Sequence, residues 1–366
     1  MSTPSKLFDP YKLGPITLAN RIAMAPLTRN RAVAGLVPSP LAIEYYGQRA
    51  SAGLLITEAS QISQQGQGYQ DTPGIYSKEQ VAAWRKVTGR VHENGGRIFL
   101  QLWHVGRISH VSLQPSGGAP VAPSAIPAKT KTFVGGAFAD VSAPRALELN
   151  EIPGIIDGFR KGAANAIEAG FDGVEIHGAN GYLLDQFAKD GTNKRTDAYG
   201  GSIENRAKLM LEVSKAVTAE IGADKTGIRI SPVTPANDVS DSNPQPLFDY
   251  IVDGLNALNL VYIHVIEGAT GGPRDVAPFD YASLRKRFKG TYMANNGYDL
   301  ALANQVIDSG AADLIAFGKP FISNPDLVER LKAGAPLNDW DKTTFYGGGA
   351  KGYTDYPTLE QSQAAE

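Results

Sequence analysis

Apolar residues fall along this chain in eight short runs, at 22–25, 54–57, 98–102, 173–176, 226–230, 260–265, 292–294 and 314–317, each followed by a turn signal or a polar cluster. The runs are largely continuous rather than alternating, which is how strands buried on both faces read. Between them lie stretches with helical spacing. Residues 78–93 carry Val81, Trp84, Val87 and Val91 on one stripe, and residues 151–169 carry Ile155, Phe159, Ala163 and Ile167. Helices are also predicted over 203–221, 245–258, 298–309 and 324–331. Alternating strands and helices favour a parallel sheet with right-handed crossovers. Eight such units in 366 residues predict an α/β fold, a single (β/α)8 TIM barrel, with a doubly wound open sheet as the alternative.

Two stretches break the rhythm. Residues 109–145 are rich in Gly, Pro, Ser and Ala and separate the third strand from the fourth, so a cap or short hairpin over the barrel mouth is expected there. The tail, 343–366, contains Phe345-Tyr346-Gly347-Gly348-Gly349, too Gly-rich for a helix, and is expected to fold back over the same mouth. No repeat or low-complexity linker appears, so 1–366 reads as one domain.

Composition narrows the function classes. A net charge of −2 argues against a nucleic-acid-binding surface, and no apolar run approaches the roughly 20 residues that span a bilayer. Residues 1–6 lack the positive-then-apolar pattern of a secretory signal, so a cytoplasmic protein is expected. With no cysteine, disulfides, thiolate metal sites and cysteine nucleophiles are excluded; H-E-x-x-H is missing as well, and no metal site is expected.

In a TIM barrel the active site gathers at the C-terminal ends of the strands. Those ends carry Pro26, Leu27, Thr28 and Arg29; Glu58 and Ala59; Gln101, Trp103 and His104; His177, Asn180 and Tyr182; Arg229 and Ser231; Glu267 with Gly268–Gly272; Asn295, Asn296 and Gly297; and Gly318 with Lys319. Amide, imidazole, guanidinium and phenol groups suit a flat heterocycle with several donors and acceptors. The seventh and eighth ends are where such barrels often hold phosphate, and Asn296-Gly297 and Gly318-Lys319 supply close backbone approach and a cation. Two ordinary turns with a solvated Lys319 remain the alternative. His177 and Asn180, three apart, can form a two-donor clamp for a carbonyl or nitro oxygen, and Tyr182 can give up a proton at neutral pH. A buried, satisfied histidine beside a packing tyrosine is the other reading of the same cluster. Gly347 to Gly352 satisfies G-x-G-x-x-G but follows no strand, and Gly318-Lys319 lacks the Gly of a Walker A loop, so neither is a nucleotide fingerprint.

Several longer motifs resemble the old yellow enzyme family, most closely its bacterial N-ethylmaleimide, pentaerythritol tetranitrate and glycerol trinitrate reductases. They are Met24-Ala25-Pro26-Leu27-Thr28-Arg29, Gln101-Leu102-Trp103-His104, Gly170 through His177, Arg195 through Ser202, and Phe345 through Gly349. The resemblance implies noncovalent FMN at the barrel mouth, reduced by NADPH or NADH. It implies that Thr28 bonds the flavin O4, that Gln101 reads the pyrimidine edge and that Arg229 lies beside N1 and O2. Pro26, Leu27 and Ala59 would contact the ring, and Asn296, Gly297, Gly318 and Lys319 would hold the phosphate. His177 and Asn180 would clamp an electron-poor alkene, Tyr182 would protonate it, and Tyr69, Trp103 and Tyr353 would shape the pocket. Enones, maleimides and nitroalkenes are the implied acceptors, with nitrate esters a further candidate. Many members have Arg where this chain has Lys319, and some have His where it has Asn180. A monomer or weak homo-oligomer with small-molecule partners is expected. The rival is a flavin-free barrel aldolase or isomerase acting on a phosphorylated substrate, which needs a catalytic lysine or paired carboxylates; Glu58, Glu175, Glu267 and Lys319 suggest no such pairing.

Overall fold

Eight parallel strands close on one another: β1 (Ile22–Met24), β2 (Leu54–Ile56), β3 (Ile98–Trp103), β4 (Gly173–Gly178), β5 (Thr226–Ile230), β6 (Tyr262–Ile266), β7 (Thr291–Asn295) and β8 (Leu314–Phe317). Each pairs with the next and β8 pairs with β1, so the barrel has no free edge. The computed structural model describes residues 5–364; the first four residues of the N-terminal reading and the last two of the tail lie outside the described residues. Following the strands in turn are α1 (Leu41–Gly47), α2 (Lys78–Glu93), α3 (Ile152–Glu168), α4 (Ile203–Ile221), α5 (Pro244–Ala257), α6 (Tyr281–Arg287), α7 (Leu300–Asp308) and α8 (Leu327–Ala333). The (β/α)8 barrel read from the sequence is therefore the observed fold, and the doubly wound sheet is not.

The strands look continuously apolar because the barrel divides them between two cores. Ile22, Met24, Leu55, Leu100, Leu102, Val174, Ile176, Ile228, Ile263 and Ile315 face outward and pack with the helices. Their neighbours Ala23, Leu54, Ile56, Phe99, Tyr262, Met293 and Leu314 fill the lumen. This is period-two geometry with both faces dry. An N-terminal hairpin, Tyr11–Leu13 against Ile16–Leu18, adds Leu13 and Leu18 to the luminal core. Toward the C-terminal end the inward positions turn polar, as Gln101, Glu175, His177, Arg229, His264 and Asn295, all buried.

The helices form for local reasons as well. In α3 the buried Ile152, Ile155, Phe159, Ala163 and Ala166 recur every three or four residues. It stops where Gly170 takes a positive φ of 88° and the Phe171 N–H returns to the Ala166 carbonyl at 3.1 Å. Helix α2 opens with a capping box between Ser77 and Gln80. No helix among the described residues is long and apolar enough to cross a membrane.

The stretch after β3 contains a hairpin, and the tail, read as too Gly-rich for a helix, ends in a short one at Leu359–Ala364. Within 109–145 the chain forms an antiparallel hairpin, Lys131–Val134 with Ala137–Asp140. The Gly-rich tail returns to the end of β1, where two buried arginines grip its backbone. Arg29 donates to the carbonyls of Phe345 at 2.8 Å and Gly352 at 2.7 Å, and Arg31 donates to those of Thr344 at 2.9 Å and Gly349 at 3.1 Å. The N-terminal hairpin, α1, α6 and a short helix at Leu183–Ala188 had no clear signal in the hydrophobic pattern, being seven residues or fewer.

Candidate active site

Three strands meet in register at the mouth. His177 on β4 is the cross-strand partner of Arg229 on β5, which in turn partners His264 on β6. One layer deeper, Glu175 on β4 partners Gln101 on β3. Equal alternation on parallel neighbours thus stacks a polar ring above the apolar plug of the lumen.

Glu175 organises the deeper layer. Its carboxylate accepts from Gln101 Nε2 at 2.8 Å, Tyr262 Oη at 3.0 Å and His264 Nδ1 at 2.8 Å. Burial opposes its ionisation, but His264, Arg229 and the hydrogen bonds from His264 and Tyr262 hold its pKa below the ordinary value. With one N–H of Nε2 committed to Glu175, Gln101 keeps its second N–H and its amide oxygen for other partners.

Arg229 is 6% exposed, and among the described residues it makes no ion pair. It donates to Asn295 Oδ1 at 2.8 Å, and its Nε is buried without a partner. Burial pushes its pKa down to about 10, so it stays charged at neutral pH. A buried guanidinium with an unspent donor fits a ligand that carries or develops negative charge.

A cleft of about 610 Å³ opens above this layer. Pro26, Leu27, Thr28, Asn180, Arg229, Asn296, Gly297, Gly318 and Lys319 all line it. Asn296 and Gly297 have φ of 99° and 67°, a local bend that brings backbone close to whatever lies above. The Asn296 side chain is occupied elsewhere: its Nδ2 donates to the carbonyls of Glu267 at 2.7 Å and Ala269 at 2.9 Å, pinning the loop after β6. Lys319 is exposed, and among the described residues its ammonium reaches only the Gly271 carbonyl, at 3.2 Å.

A second group of the predicted residues packs together and is not among those that line the cleft. Ala59, in the interruption between β2 and the short strand Ser60–Gln61, packs with Trp103, and Tyr69 and Tyr182 pack against them. Trp103 stacks on Tyr69 at 5.7 Å and meets Tyr182 edge-on at 4.9 Å; His177 lies 5.0 Å from the Tyr182 ring. The hydroxyls of Tyr69 and Tyr182 are 3.1 Å apart. Burial raises the pKa of Tyr182 above its ordinary value, so the phenol is protonated at neutral pH. Burial, helped by the charge of Arg229, drives the pKa of His177 well below 6.5, so its imidazole is neutral; among the described residues its Nδ1 has no partner.

Tyr353 does not join either group. It is 1% exposed and stacks on Tyr45 at 4.1 Å, with Arg29 and Arg31 over its ring. Phe345 and Tyr346, from the same tail, line the cleft instead, and Tyr346 is 57% exposed. The motif containing Tyr346 was visible in the sequence, but nothing there said which tail tyrosine faces the mouth. The strand-end carboxylates do not pair with one another. Glu58 is buried, its pKa pushed up to about 7 by desolvation, and accepts the Arg29 N–H at 3.1 Å. Glu267 is tied to Arg274 at 2.5 Å and Tyr298 at 2.8 Å.

The donor set fits a phosphate-bearing, electron-poor heterocycle. The luminal side offers a cation and an amide, the β1 end a hydroxyl, and the β7 and β8 ends offer backbone and a lysine. The family model described as NADH:flavin oxidoreductase / NADH oxidase matches residues 6–338. The chain is 48% identical over 364 residues to a putative 12-oxophytodienoate reductase 11 of Oryza sativa subsp. japonica, covering 98% of this chain and 99% of that one. It is 46% identical over 361 residues to 12-oxophytodienoate reductase 2 of Arabidopsis thaliana, covering 97% and 96%. Among solved structures it is similar to morphinone reductase in complex with tetrahydroNAD, with a TM-score of 0.93, 46% identity and coverage of 98% and 99%. The old yellow enzyme homologue from Zymomonas mobilis gives a TM-score of 0.94 at 46% identity, with coverage of 97% and 100%.

Proposed function

The chain belongs to the NADH:flavin oxidoreductase / NADH oxidase family, as an FMN-dependent, NAD(P)H-reduced enzyme of the old yellow enzyme kind, and on that premise we propose that His177, Asn180 and Tyr182 form its substrate clamp and proton donor. FMN, when bound, supplies the chemistry of accepting hydride from a nicotinamide and passing it to the β carbon of an activated alkene. Thr28, Gln101, Arg229 and the backbone of Pro26, Leu27 and Ala59 would hold its ring. Asn296, Gly297, Gly318 and Lys319 would hold its phosphate, Asn296 through backbone alone.

The protein's own groups do the rest. His177 and Asn180 hydrogen-bond the activating oxygen of the acceptor and draw electron density from its double bond. Both are neutral, so the clamp polarises without a full charge. Tyr182 delivers the proton to the α carbon, and Tyr69, hydrogen-bonded to it, orients the phenol. Trp103 and Tyr346 bound the pocket. The reductases of 12-oxophytodienoate and morphinone among its relatives support a carbonyl-activated alkene as acceptor. Maleimides, nitroalkenes and nitrate esters belong to the same proposal. So do use of NADPH as well as NADH, a single barrel domain over 1–366, a cytoplasmic location and a monomer or weak homo-oligomer.

The observation that carries this reading is the buried, charged Arg229 with an unspent Nε, one strand from His177. The test is anaerobic stopped-flow: the yellow protein bleaches with NADH or NADPH and recovers colour with an enone, a maleimide, a nitroalkene or a nitrate ester. A colourless protein that does not take up FMN, or a reduced one that no activated alkene reoxidises, would overturn it. Tetrahydronicotinamide analogues such as tetrahydroNAD are the matching unreactive probes of nicotinamide binding.

A further inference from the structure

Asn180 has every hydrogen-bonding group but one engaged. It sits at a φ of 60°, a left-handed conformation that asparagine tolerates. Its N–H donates to Ser231 Oγ at 2.8 Å and its carbonyl accepts from Asn237 Nδ2 at 2.8 Å. Its side-chain Oδ1 accepts from the hydroxyl of Thr270, in the loop after β6, at 2.5 Å. Among the described residues, only Nδ2 has no partner, on a residue that lines the cleft.

The direction of the Thr270 bond follows from the groups behind it. Thr234 is 2% exposed, and its Oγ1 accepts two backbone N–H groups, from Thr270 at 3.1 Å and Ala236 at 3.4 Å. Two acceptances use both of its lone pairs. At 3.2 Å from Thr270 Oγ1, the Thr234 hydroxyl can therefore only donate, which leaves the Thr270 proton for Asn180. The result is a one-way relay from backbone to Thr234, to Thr270, to the amide oxygen, each bond polarising the next.

We propose that Thr270 is the positioning residue of the substrate clamp: its hydroxyl holds Oδ1 of Asn180 back, so that the amide meets the ligand only as a donor. An asparagine amide turned by half a rotation would present an acceptor and repel a carbonyl or nitro oxygen. The loop that carries Thr270 is itself fastened, with the Gly271 N–H donating to Asn296 Oδ1 at 3.2 Å and the Gly272 N–H returning to the Ala269 carbonyl at 2.9 Å. A clamp built on an amide has no charge state to choose its orientation, and the relay supplies that choice. The proposal rests on the reading of His177 and Asn180 as the clamp.

The experiment uses FMN-loaded protein titrated with tetrahydroNAD and followed by flavin absorbance. Thr270→Val keeps the shape and removes the hydroxyl; Thr270→Ser keeps the hydroxyl. Thr270→Val is expected to weaken binding about fivefold, the size of one net hydrogen bond. Flavin affinity and unfolding midpoint should stay put, and Thr270→Ser should restore wild-type binding. In an Asn180→Ala background, Thr270→Val should cost nothing more. Unchanged binding in Thr270→Val while Asn180→Ala weakens it would overturn the role of Thr270 alone. An equal loss in both backgrounds would overturn it too, by showing that Thr270 acts by another route. Unchanged binding in Asn180→Ala would overturn the clamp itself, and the proposal with it.

Discussion

The hydroxyl of Tyr182 lies 3.1 Å from that of Tyr69, and burial holds both phenols in the protonated state. Two linked phenols beside a neutral imidazole give a proton donor that is oriented without being ionised. Tyr182→Phe keeps the ring against Trp103 and removes the proton. Reduction by NADH or NADPH should survive almost intact, and reoxidation by a simple enone should slow by about 10²–10⁴-fold. A nitroalkene should suffer less, because the anion left by hydride addition is stable enough for water to protonate. Tyr69→Phe should give a smaller defect of the same kind. Stopped-flow on both half-reactions separates these outcomes; equal damage to both halves would make Tyr182 structural.

Acid should affect folding and binding differently through His177. Burial depresses its folded pKa well below 6.5, whereas in the unfolded chain it titrates near 6.5. The unfolded state therefore takes up the proton first. The stability contributed by neutral His177 is full above about pH 6.5 and is lost as pH falls toward the folded pKa, at about 1.4 kcal/mol per pH unit. Denaturant unfolding at pH 7.0 and 5.5 should show a steeper loss for wild type than for His177→Asn. TetrahydroNAD affinity of the wild type should stay flat over the same interval. A rise below pH 6.5 would show an imidazolium in the clamp.

Removing an exposed lysine should separate cofactor retention from folding. Lys319 contributes no core volume, and among the described residues its one side-chain hydrogen bond is to the Gly271 carbonyl. Lys319→Ala should leave the melting temperature unchanged and weaken FMN about tenfold or more, as expected for a lost charge-assisted bond. Equilibrium dialysis of the apoprotein reads this directly. Thr28→Ala should instead make the midpoint potential more negative, since a donor at the ring favours the electron-rich state; spectroelectrochemistry gives the sign.

The two tail tyrosines should behave as opposites. Tyr353 is fully enclosed, and among the described residues its hydroxyl has no partner. Tyr353→Phe should be neutral or slightly stabilising, and Tyr353→Ala should cost about 3–5 kcal/mol through the cavity left against Tyr45. Tyr346→Ala should leave stability unchanged and raise KM for bulky acceptors. Thermal unfolding and steady-state kinetics on the same three variants test the assignment, and a KM effect confined to Tyr353 variants would reverse it.

The barrel was legible because its strands are dry on both faces, which makes Val174 and Ile176 as visible as Phe99. The same dryness concealed which face each residue takes. Glu175 could have been placed inside the barrel from its spacing of two from His177, yet its bonds to Gln101, Tyr262 and His264 arise from register between strands far apart in sequence. The strand ends announced Thr28, Arg229 and Lys319, since topology alone brings those ends together. Tyr353 misled because a tail without periodicity carries no statement of facing. Thr270 gave no signal: a threonine in a Gly-rich loop acquires its meaning only beside Thr234 and Asn180.

The grip of Arg29 and Arg31 on the tail is made to carbonyl oxygens of residues 344, 345, 349, 351 and 352, with no tail side chain taking part in these bonds. These bonds are blind to sequence, and the one tail ring that both arginines cover is that of Tyr353, not Tyr346. The Tyr346 side chain can therefore be exchanged without loosening the segment that presents it. Diversification of the acceptor range, by natural drift or by a saturation library at that one position, is thereby uncoupled from the survival of the fold.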